Sequence, residues 1–375
     1  MIPSEDRTAF RRRILRWYDR QKRDMPWRGS QNPYHILLSE FMLQQTQVAT
    51  VIPYFERFTH ALPTIADLAQ ADLDDVLRLW EGLGYYNRAR NLHKAARAII
   101  DDHDGHVPDD FDQLLSLPGF GPYTSAAVAS IAFSRPHAVL DGNVIRVLSR
   151  LGAIDDDVTA PATKKAQQQH ADDLLTVGRP GDHNQAMMEL GATVCKPRQP
   201  LCDACPVAGH CAALSLGRVD EIPRKAKRAA RPERHYGALI VRKGDEFLIS
   251  RRKADGLLGG LWEFPSIETE SPATIDALTP RVLEALGCGV DALKPHRLLR
   301  HAYTHFSAVV RSYRTSWRSG RPSTEDHDQH KWVRLDEIET YAYSRIARKL
   351  VDSLTDHPDD DQLSINLAPS AGEQQ

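Results

Sequence analysis

Leu117-Pro118-Gly119-Phe120-Gly121-Pro122-Tyr123-Thr124 decides how this chain folds. The runs 111–116 and 124–133 on either side have helical apolar spacing, and a turn with two glycines and a helix-opening proline joins them. Glycines in such a turn let backbone N–H groups approach a phosphate, and the dipole of the following helix adds attraction. An ordinary helix connection would explain each glycine alone, but not a Gly-x-Gly pair set against a helix that begins at Pro122. The stretch reads as a helix-hairpin-helix, with Gly119 and Gly121 against a nucleic-acid backbone. Contacts of that kind position a duplex without reading its sequence.

Outward from the hairpin, residues 1–216 keep the helical period. Ile36, Leu37, Phe41, Met42 and Val48 form one apolar stripe, Leu73, Val76, Leu77 and Trp80 a second, and Leu92, Ala95, Ala96 and Ile99 a third. Residues 217–234 have no apolar face; Arg218, Arg224, Lys225, Lys227, Arg228 and Arg231 with Pro223 and Pro232 read as an extended basic linker. The period then becomes two. Tyr236 to Val241 and Phe247 to Arg251 flank Gly244-Asp245 as a hairpin, and strands follow at 298–303, 307–315 and 331–335. With helices at 273–286 and 336–353, residues 235–353 make an α+β domain, and residues 354–375 read as a disordered tail. The fold class is multidomain: an all-α region followed by an α+β domain.

A length of 375 residues and 41% hydrophobic content suit two or three domains with ordinary cores. No apolar run reaches the roughly 18 residues of a membrane span, and no apolar signal segment opens the chain. The net charge of -2 argues against indiscriminate nucleic-acid binding, although Arg11, Arg12, Arg13, Arg16, Arg20 and Arg23 crowd the start. A cytoplasmic monomer is expected, nucleoid-associated if the source is bacterial. The sequence names no protein partner.

Cys195, Cys202, Cys205 and Cys211 form a C-x6-C-x2-C-x5-C run. Four thiolates close a coordination shell without an open position, so the site is structural and takes an iron–sulfur cluster or zinc. The wide first gap and the loop prolines Pro197, Pro200 and Pro206 favour the cluster, while Cys202 and Cys205 alone would suit zinc. Disulfides fit poorly in a long chain without a secretory signal. Cys288 stands apart, as a small apolar residue.

Two carboxylates stand in contrasting surroundings. Glu40 lies in Tyr34-His35-Ile36-Leu37-Leu38-Ser39-Glu40-Phe41-Met42-Leu43, where desolvation should keep it protonated. Asp141, in Leu140-Asp141-Gly142-Asn143-Val144, precedes a helix whose N–H groups should keep it ionised. One proton donor and one fixed anion make the pair that cleaves a glycosidic bond through an oxocarbenium-like transition state. Taken singly, Glu40 reads more readily as a surface glutamate and Asp141 as a helix cap.

Together the hairpin, the Leu-Asp-Gly-Asn-Val segment and the cysteine run resemble the helix-hairpin-helix DNA glycosylases with an iron–sulfur cluster. Arg23-Asp24-Met25-Pro26-Trp27-Arg28, Ser39-Glu40-Phe41-Met42-Leu43-Gln44-Gln45-Thr46-Gln47-Val48 and Gly82-Leu83-Gly84-Tyr85-Tyr86-Asn87-Arg88-Ala89-Arg90 narrow the resemblance to the MutY-type adenine DNA glycosylases, over residues of about 7 to 350. The resemblance implies hydrolytic removal of adenine mispaired with 8-oxoguanine, or with guanine, from duplex DNA in base excision repair. It implies a [4Fe-4S] cluster on the four cysteines, Glu40 as general acid, Asp141 as the carboxylate facing the sugar cation, and Tyr123 and Asn143 as orienting groups. Arg23, Trp27, Arg28, Leu43, Val48 and Gln185 match its adenine pocket. Gln44, Gln45, Thr46 and Tyr85 match residues that probe the duplex, and Arg88 is read as a phosphate contact. The endonuclease III relatives carry a Schiff-base lysine where this chain has Tyr123, so base removal without efficient strand cleavage is expected.

Residues 235–353 resemble the Nudix-like domain with which this family senses 8-oxoguanine, through Gly259-Gly260-Leu261-Trp262-Glu263-Phe264-Pro265. A hydrolytic Nudix site needs several glutamates for magnesium, and Arg281 to Gly287 supplies only Glu284. Tyr303-Thr304-His305 stands where the family carries Phe-Ser-His, so it matches the 8-oxoguanine loop with an added phenolic hydroxyl. A non-catalytic mismatch binder would keep the hairpin and lose an acid or an anion, and both are present.

Overall fold

The computed structural model describes residues 2–30, 32–226 and 231–355. The chain forms two units: one built from residues up to 71 and from 88 to 226, the other from 72–87 and from 231 onward. The sequence places 72–87 in the helical region; in the structure these residues group with the strands of the second unit. There Tyr86 donates a hydrogen bond to Tyr343 O at 2.9 Å and Arg348 Nε to Glu81 Oε1 at 2.6 Å. The expected tail, from residue 356, lies outside the described residues, and Leu354 and Thr355 instead end the last helix.

The first unit is helical: α1 (Arg7–Gln21), α2 (Pro33–Leu43), α3 (Val48–Ala61), α4 (Ile65–Gln70), most of the α6 helix described below, α7 (Phe111–Ser116), α8 (Pro122–Phe133), α9 (Gly142–Leu151), α10 (Pro161–Leu174), α11 (Pro180–Thr193) and α12 (Ala212–Ser215). Helix α5 (Leu73–Leu79) belongs to the second unit, and α6 (Asn87–Asp102) starts at the crossing back. Side chains start several of these helices by accepting orphan N–H groups: Asn32 for α2, Thr64 with Asp67 for α4, Asp110 for α7 and Asp141 for α9. Helix α2 is buried on nearly every side, with Tyr34 and residues 36–42 out of solvent, which is why its sequence is apolar almost throughout. Helix α11 packs against α1, α8 and α9. At Gly191 on α11 a Cβ would lie 2.6 Å from Asn143 Cβ, so the α9–α11 approach admits only glycine there.

The second unit is a mixed eight-stranded sheet of β1 (Glu233–Lys243), β2 (Glu246–Arg252), β3 (Trp262–Glu263), β4 (Ser266–Thr269), β5 (Cys288–Val290), β6 (Lys294–Ala302), β7 (Ser307–Gly320) and β8 (His327–Arg334). Strand β1 runs parallel to β7 and antiparallel to β2 and β4. Period two along β1 sends Ala238 and Ile240 to one core and Leu239 and Val241 to another. Helix α13 (Ile275–Leu286) covers the second core through Leu278, Val282 and Leu286, and Cys288 is buried beside it as an apolar residue. The other core is closed by Ala347, Leu350, Val351 and Leu354.

Those four residues belong to α15 (Arg345–Thr355), which follows the short α14 (Leu335–Ile338). The single helix expected at 336–353 is thus broken. Ala342, Tyr343 and Ser344 are buried between the two pieces, Trp262 N donates to Ala342 O at 2.9 Å, and Trp262 bridges Tyr343 in parallel. Sheet pairing outbids helix propensity at that point. Among the described residues no helix is long and apolar enough to cross a membrane.

Candidate active site

A cavity of about 520 Å³ in the first unit is lined by the α1–α2 loop, α2, the α2–α3 turn, α8, the start of α9, and the middle and C-terminal part of α11. Glu40 and Asp141 both line it, together with Tyr123 and Asn143. So do Arg23, Trp27, Arg28, Leu43, Val48 and Gln185, the whole set read from the sequence as a base pocket.

Glu40 is 4% exposed. Burial pushes its carboxyl up to about 7; the hydrogen bond from Tyr123 opposes this and the charge of Asp141 adds to it. That bond runs from the Tyr123 hydroxyl to Oε2 at 2.8 Å, and Met188 Sδ lies 3.3 Å from the same hydroxyl. Asp141 caps α9 as the sequence implies: Val144 N–H donates to Oδ1 at 2.7 Å and Asn143 Nδ2 to Oδ2 at 2.9 Å. Yet its carboxyl also rises above the ordinary value rather than falling. Burial outweighs those donors and the charge of Arg146, a balance invisible in a linear sequence. Asp141 has donors on both oxygens and a nearby cation, whereas Tyr123 alone holds Glu40 down.

Arg146 ties this corner to the cysteine loop. Its Nη2 donates to Asn143 Oδ1 and to Gly191 O, both at 2.8 Å, and its Nε to Cys195 O at 2.8 Å. One turn on, Arg150 Nη1 donates to Lys196 O at 2.7 Å and to Cys195 Sγ at 3.3 Å. Sequence reasoning passed over both arginines; their signal was two basic residues four positions apart on one face of a helix. The four thiols act on one another electrostatically, yet among the described residues no three His, Cys, Asp or Glu side chains converge as a single ion demands. Four cysteine thiols on one loop, close enough to act on one another electrostatically, are the donor set of an iron–sulfur cluster. As a free thiol Cys205 is pushed up to about 11, by burial first and then by the other cysteines, with Val207 N–H opposing; a cationic centre relieves that.

The far wall centres on Glu189, also overlooked in the sequence although it lies one helical turn after Gln185. Arg23 Nε donates to its Oε1 at 2.6 Å and Arg28 Nη2 to its Oε2 at 3.0 Å. Burial would raise this carboxyl, but Arg23 and Arg28 outweigh it and hold Glu189 below the ordinary range. Arg28 Nε also donates to Gln185 Oε1 at 3.3 Å, which orients that amide. Trp27 is buried edge-on against Phe55, with ring centres 5.2 Å apart.

The hairpin takes the expected form, α7 and α8 joined through Gly119 and Gly121. Gly119 has φ +78° and a Cβ there would lie 2.4 Å from Asn91 Cβ, while Gly121 opens α8 with nothing within 4 Å of its Cβ position. In the α2–α3 turn Gln45 is exposed with φ 57°, Gln44 Nε2 donates to Thr124 Oγ1 at 3.3 Å, and Thr46 reaches the cavity. Arg88 is a correction. It is 6% exposed, and its guanidinium donates to Phe41 O, Met42 O, Gln44 O and Thr46 Oγ1 at 2.6–3.1 Å. The C-terminal carbonyls of α2 claim it, which leaves it no phosphate. Arg90 is likewise buried.

In the second unit Tyr303 N donates to Phe306 O at 2.8 Å, closing a tight turn between β6 and β7 with Thr304 and His305 exposed at its tip. Thr304 Oγ1 donates to Tyr85 OH at 3.4 Å, so two residues 219 apart, assigned separately from the sequence, meet here. Helix α13 carries one glutamate, Glu284.

Residues 38–172 match the family described as HhH-GPD superfamily base excision DNA repair protein, 195–211 the iron–sulfur binding domain of endonuclease III, and 236–353 the NUDIX domain. The chain is 36% identical to the adenine DNA glycosylase of Rattus norvegicus, across 94% of this chain and 79% of that protein. It is 35% identical to the adenine DNA glycosylase of Homo sapiens, across 92% and 73%. Among solved structures, a thermostable thymine-DNA glycosylase superposes with a TM-score of 0.51 at 30% identity, covering 56% of this chain and 98% of that one.

Proposed function

The chain belongs to the adenine DNA glycosylases, hydrolases of base excision repair that carry a [4Fe-4S] cluster, and on that premise we propose that it excises adenine paired with 8-oxoguanine, by hydrolysis alone. The observation that carries this reading is one cavity lined by both Glu40 and Asp141, each within electrostatic reach of the other. Adenine must leave the stack to enter it, at a cost of roughly a few kcal/mol. Trp27, Leu43 and Val48 supply apolar walls, and Gln185, its carbonyl held by Arg28, turns its amide NH2 to a ring nitrogen of the base.

Glu40 enters the reaction protonated and gives its proton to a ring nitrogen of the leaving adenine. Tyr123 occupies Oε2, so the proton is delivered from Oε1. As the glycosidic bond lengthens, Asp141 faces the positive charge that grows on the sugar, and Asn143 with Val144 N–H keeps its two oxygens in place. Water then adds at the anomeric carbon, its released proton returns to the Glu40 carboxylate, and an abasic site is left. No lysine is among the residues that line the cavity, which supports base removal without a Schiff base. Cys195, Cys202, Cys205 and Cys211 hold the cluster, whose bound form fixes the loop that Arg146 and Arg150 grip. Gly119 and Gly121 present backbone N–H groups to the duplex, and Tyr303, Thr304 and His305 with Tyr85 read the base opposite.

Duplex DNA with adenine opposite 8-oxoguanine, incubated with the protein and then heated in alkali, tests this. Scission that needs the alkali supports monofunctional excision; scission without alkali removes the hydrolysis-only reading, and none in either case removes excision itself.

A further inference from the structure

Gln185, Glu189, Arg23 and Arg28 line one wall of the cavity that holds Glu40 and Asp141, and hydrogen bonds join them into a chain. The Glu189 side chain is 1% exposed and both of its oxygens are taken. Oε1 accepts from Arg23 N at 3.3 Å and Nε at 2.6 Å; Oε2 accepts from Arg23 Nη2 at 3.2 Å and Arg28 Nη2 at 3.0 Å. The other two nitrogens of Arg28 are claimed as well: Nη1 donates to Arg23 O at 2.7 Å and Nε to Gln185 Oε1 at 3.3 Å. A guanidinium is a rigid fork, so one held at all three nitrogens keeps its direction. Among the described residues the Gln185 NH2 donates to none, which leaves it for an occupant of the cavity.

The direction of that amide decides which purine fits. Reversed about its last bond, Gln185 would set its NH2 against Arg28 Nε, donor against donor, so the carboxamide stays as it is. At Gly191 α11 abuts Asn143, the partner of Asp141, and Gln185 lies about 9 Å back along that helix. With the sugar at Asp141, this span brings the amide to the edge of the base remote from the sugar, where a purine carries N1 and its 6-substituent. Adenine shows a lone pair at N1 beside an amino group. It accepts from the Gln185 NH2 and donates to the second lone pair of Oε1. Guanine and hypoxanthine show the opposite pattern, an N–H at N1 beside a carbonyl oxygen. Against the held amide they place donor on donor and acceptor on acceptor; against a reversed amide they would pair fully. The choice between 6-amino and 6-oxo purines thus rests on what keeps the amide from reversing.

We propose that Glu189 is a positioning residue that sets base specificity: by pinning Arg28 it fixes the Gln185 amide in the direction that admits adenine and refuses guanine and hypoxanthine. The inference rests on the reading of the cavity as the site of adenine excision. Held ionised by the two arginines, Glu189 takes no part in proton transfer and acts through Arg28 alone.

Single-turnover excision from duplexes with adenine or hypoxanthine opposite 8-oxoguanine, read as the ratio of the two rates, tests the proposal. Glu189→Gln leaves the donors of both arginines to share one carbonyl, and it is expected to lower the adenine-to-hypoxanthine ratio about tenfold or more. Should that variant fail to fold, Arg28→Lys keeps a charge beside Glu189, but its ammonium cannot also hold the amide, and the same fall is expected. In a Gln185→Ala background there is no amide to turn, and adding Glu189→Gln is expected to change the ratio less than about twofold. Equal slowing on both bases in the folded variants, or the same fall in ratio with Gln185 replaced, overturns the proposal, since either makes Glu189 a support for the wall alone. No adenine excision by the unaltered chain removes the excision reading and this inference with it; adenine excision with a ratio that the variants leave unchanged removes the inference alone.

Discussion

Glu40 holds its proton to about pH 7, so single-turnover excision should fall as pH rises through that value. A rate that is flat from about pH 6 to 8 would contradict its role as acid. The same shift has a consequence for stability. A carboxyl raised from 4.5 to about 7 on folding stabilises fully below 4.5, and loses that contribution as pH climbs through 7. Glu40→Gln should therefore abolish most excision yet stabilise the protein at pH 8, by up to about 3 kcal/mol, and change little near pH 4, as urea unfolding at the two pH values would reveal. Asp141→Asn keeps shape and removes charge; excision should drop on the order of 10³-fold while duplex affinity persists in a gel-shift titration. Arg88→Ala should cost about 2 kcal/mol or more and leave the salt dependence of DNA binding unchanged, whereas a true phosphate contact would lower that slope by nearly one. The apolar run around Glu40 made its burial legible in the sequence; the carbonyls that claim Arg88 are brought to it only by the fold.

At the scale of elements, α9 does two jobs. Its first turn is capped by Asp141, the carboxylate proposed to face the sugar cation, and Arg146 and Arg150 on its body hold the cysteine loop. Arg146→Ala should retain the cluster absorbance yet slow excision on the order of 10²-fold, because Asn143 loses the partner that orients it against Asp141. Equal loss of colour and activity would assign Arg146 to the loop alone. Gly191→Ala forces α11 from α9 at the same corner, so it should lower stability by about 1–3 kcal/mol in urea unfolding and reduce excision with it. Helical spacing and turn chemistry revealed α7, α8 and the hairpin between them, since those elements rest on local preferences. The break between α14 and α15 depends on Trp262, far away in the chain, pairing with Ala342 and Tyr343. No local pattern could announce it.

For the molecule as a whole, order and kind of domain were readable because the period changes from helical to alternating across the basic stretch near residue 230. The membership of residues 72–87 was not, because their own helical period resembles that of the helices before and after them. The chain therefore crosses between its units at 71–72, again at 87–88, and a third time in the basic stretch. During synthesis, residues 72–87 leave the ribosome long before the strands that will receive Glu81 and Tyr86 have been made. The amino-terminal part thus carries an unfinished segment through most of translation, and a protein nicked once between 226 and 231 should still elute as one particle until denaturant parts its fragments.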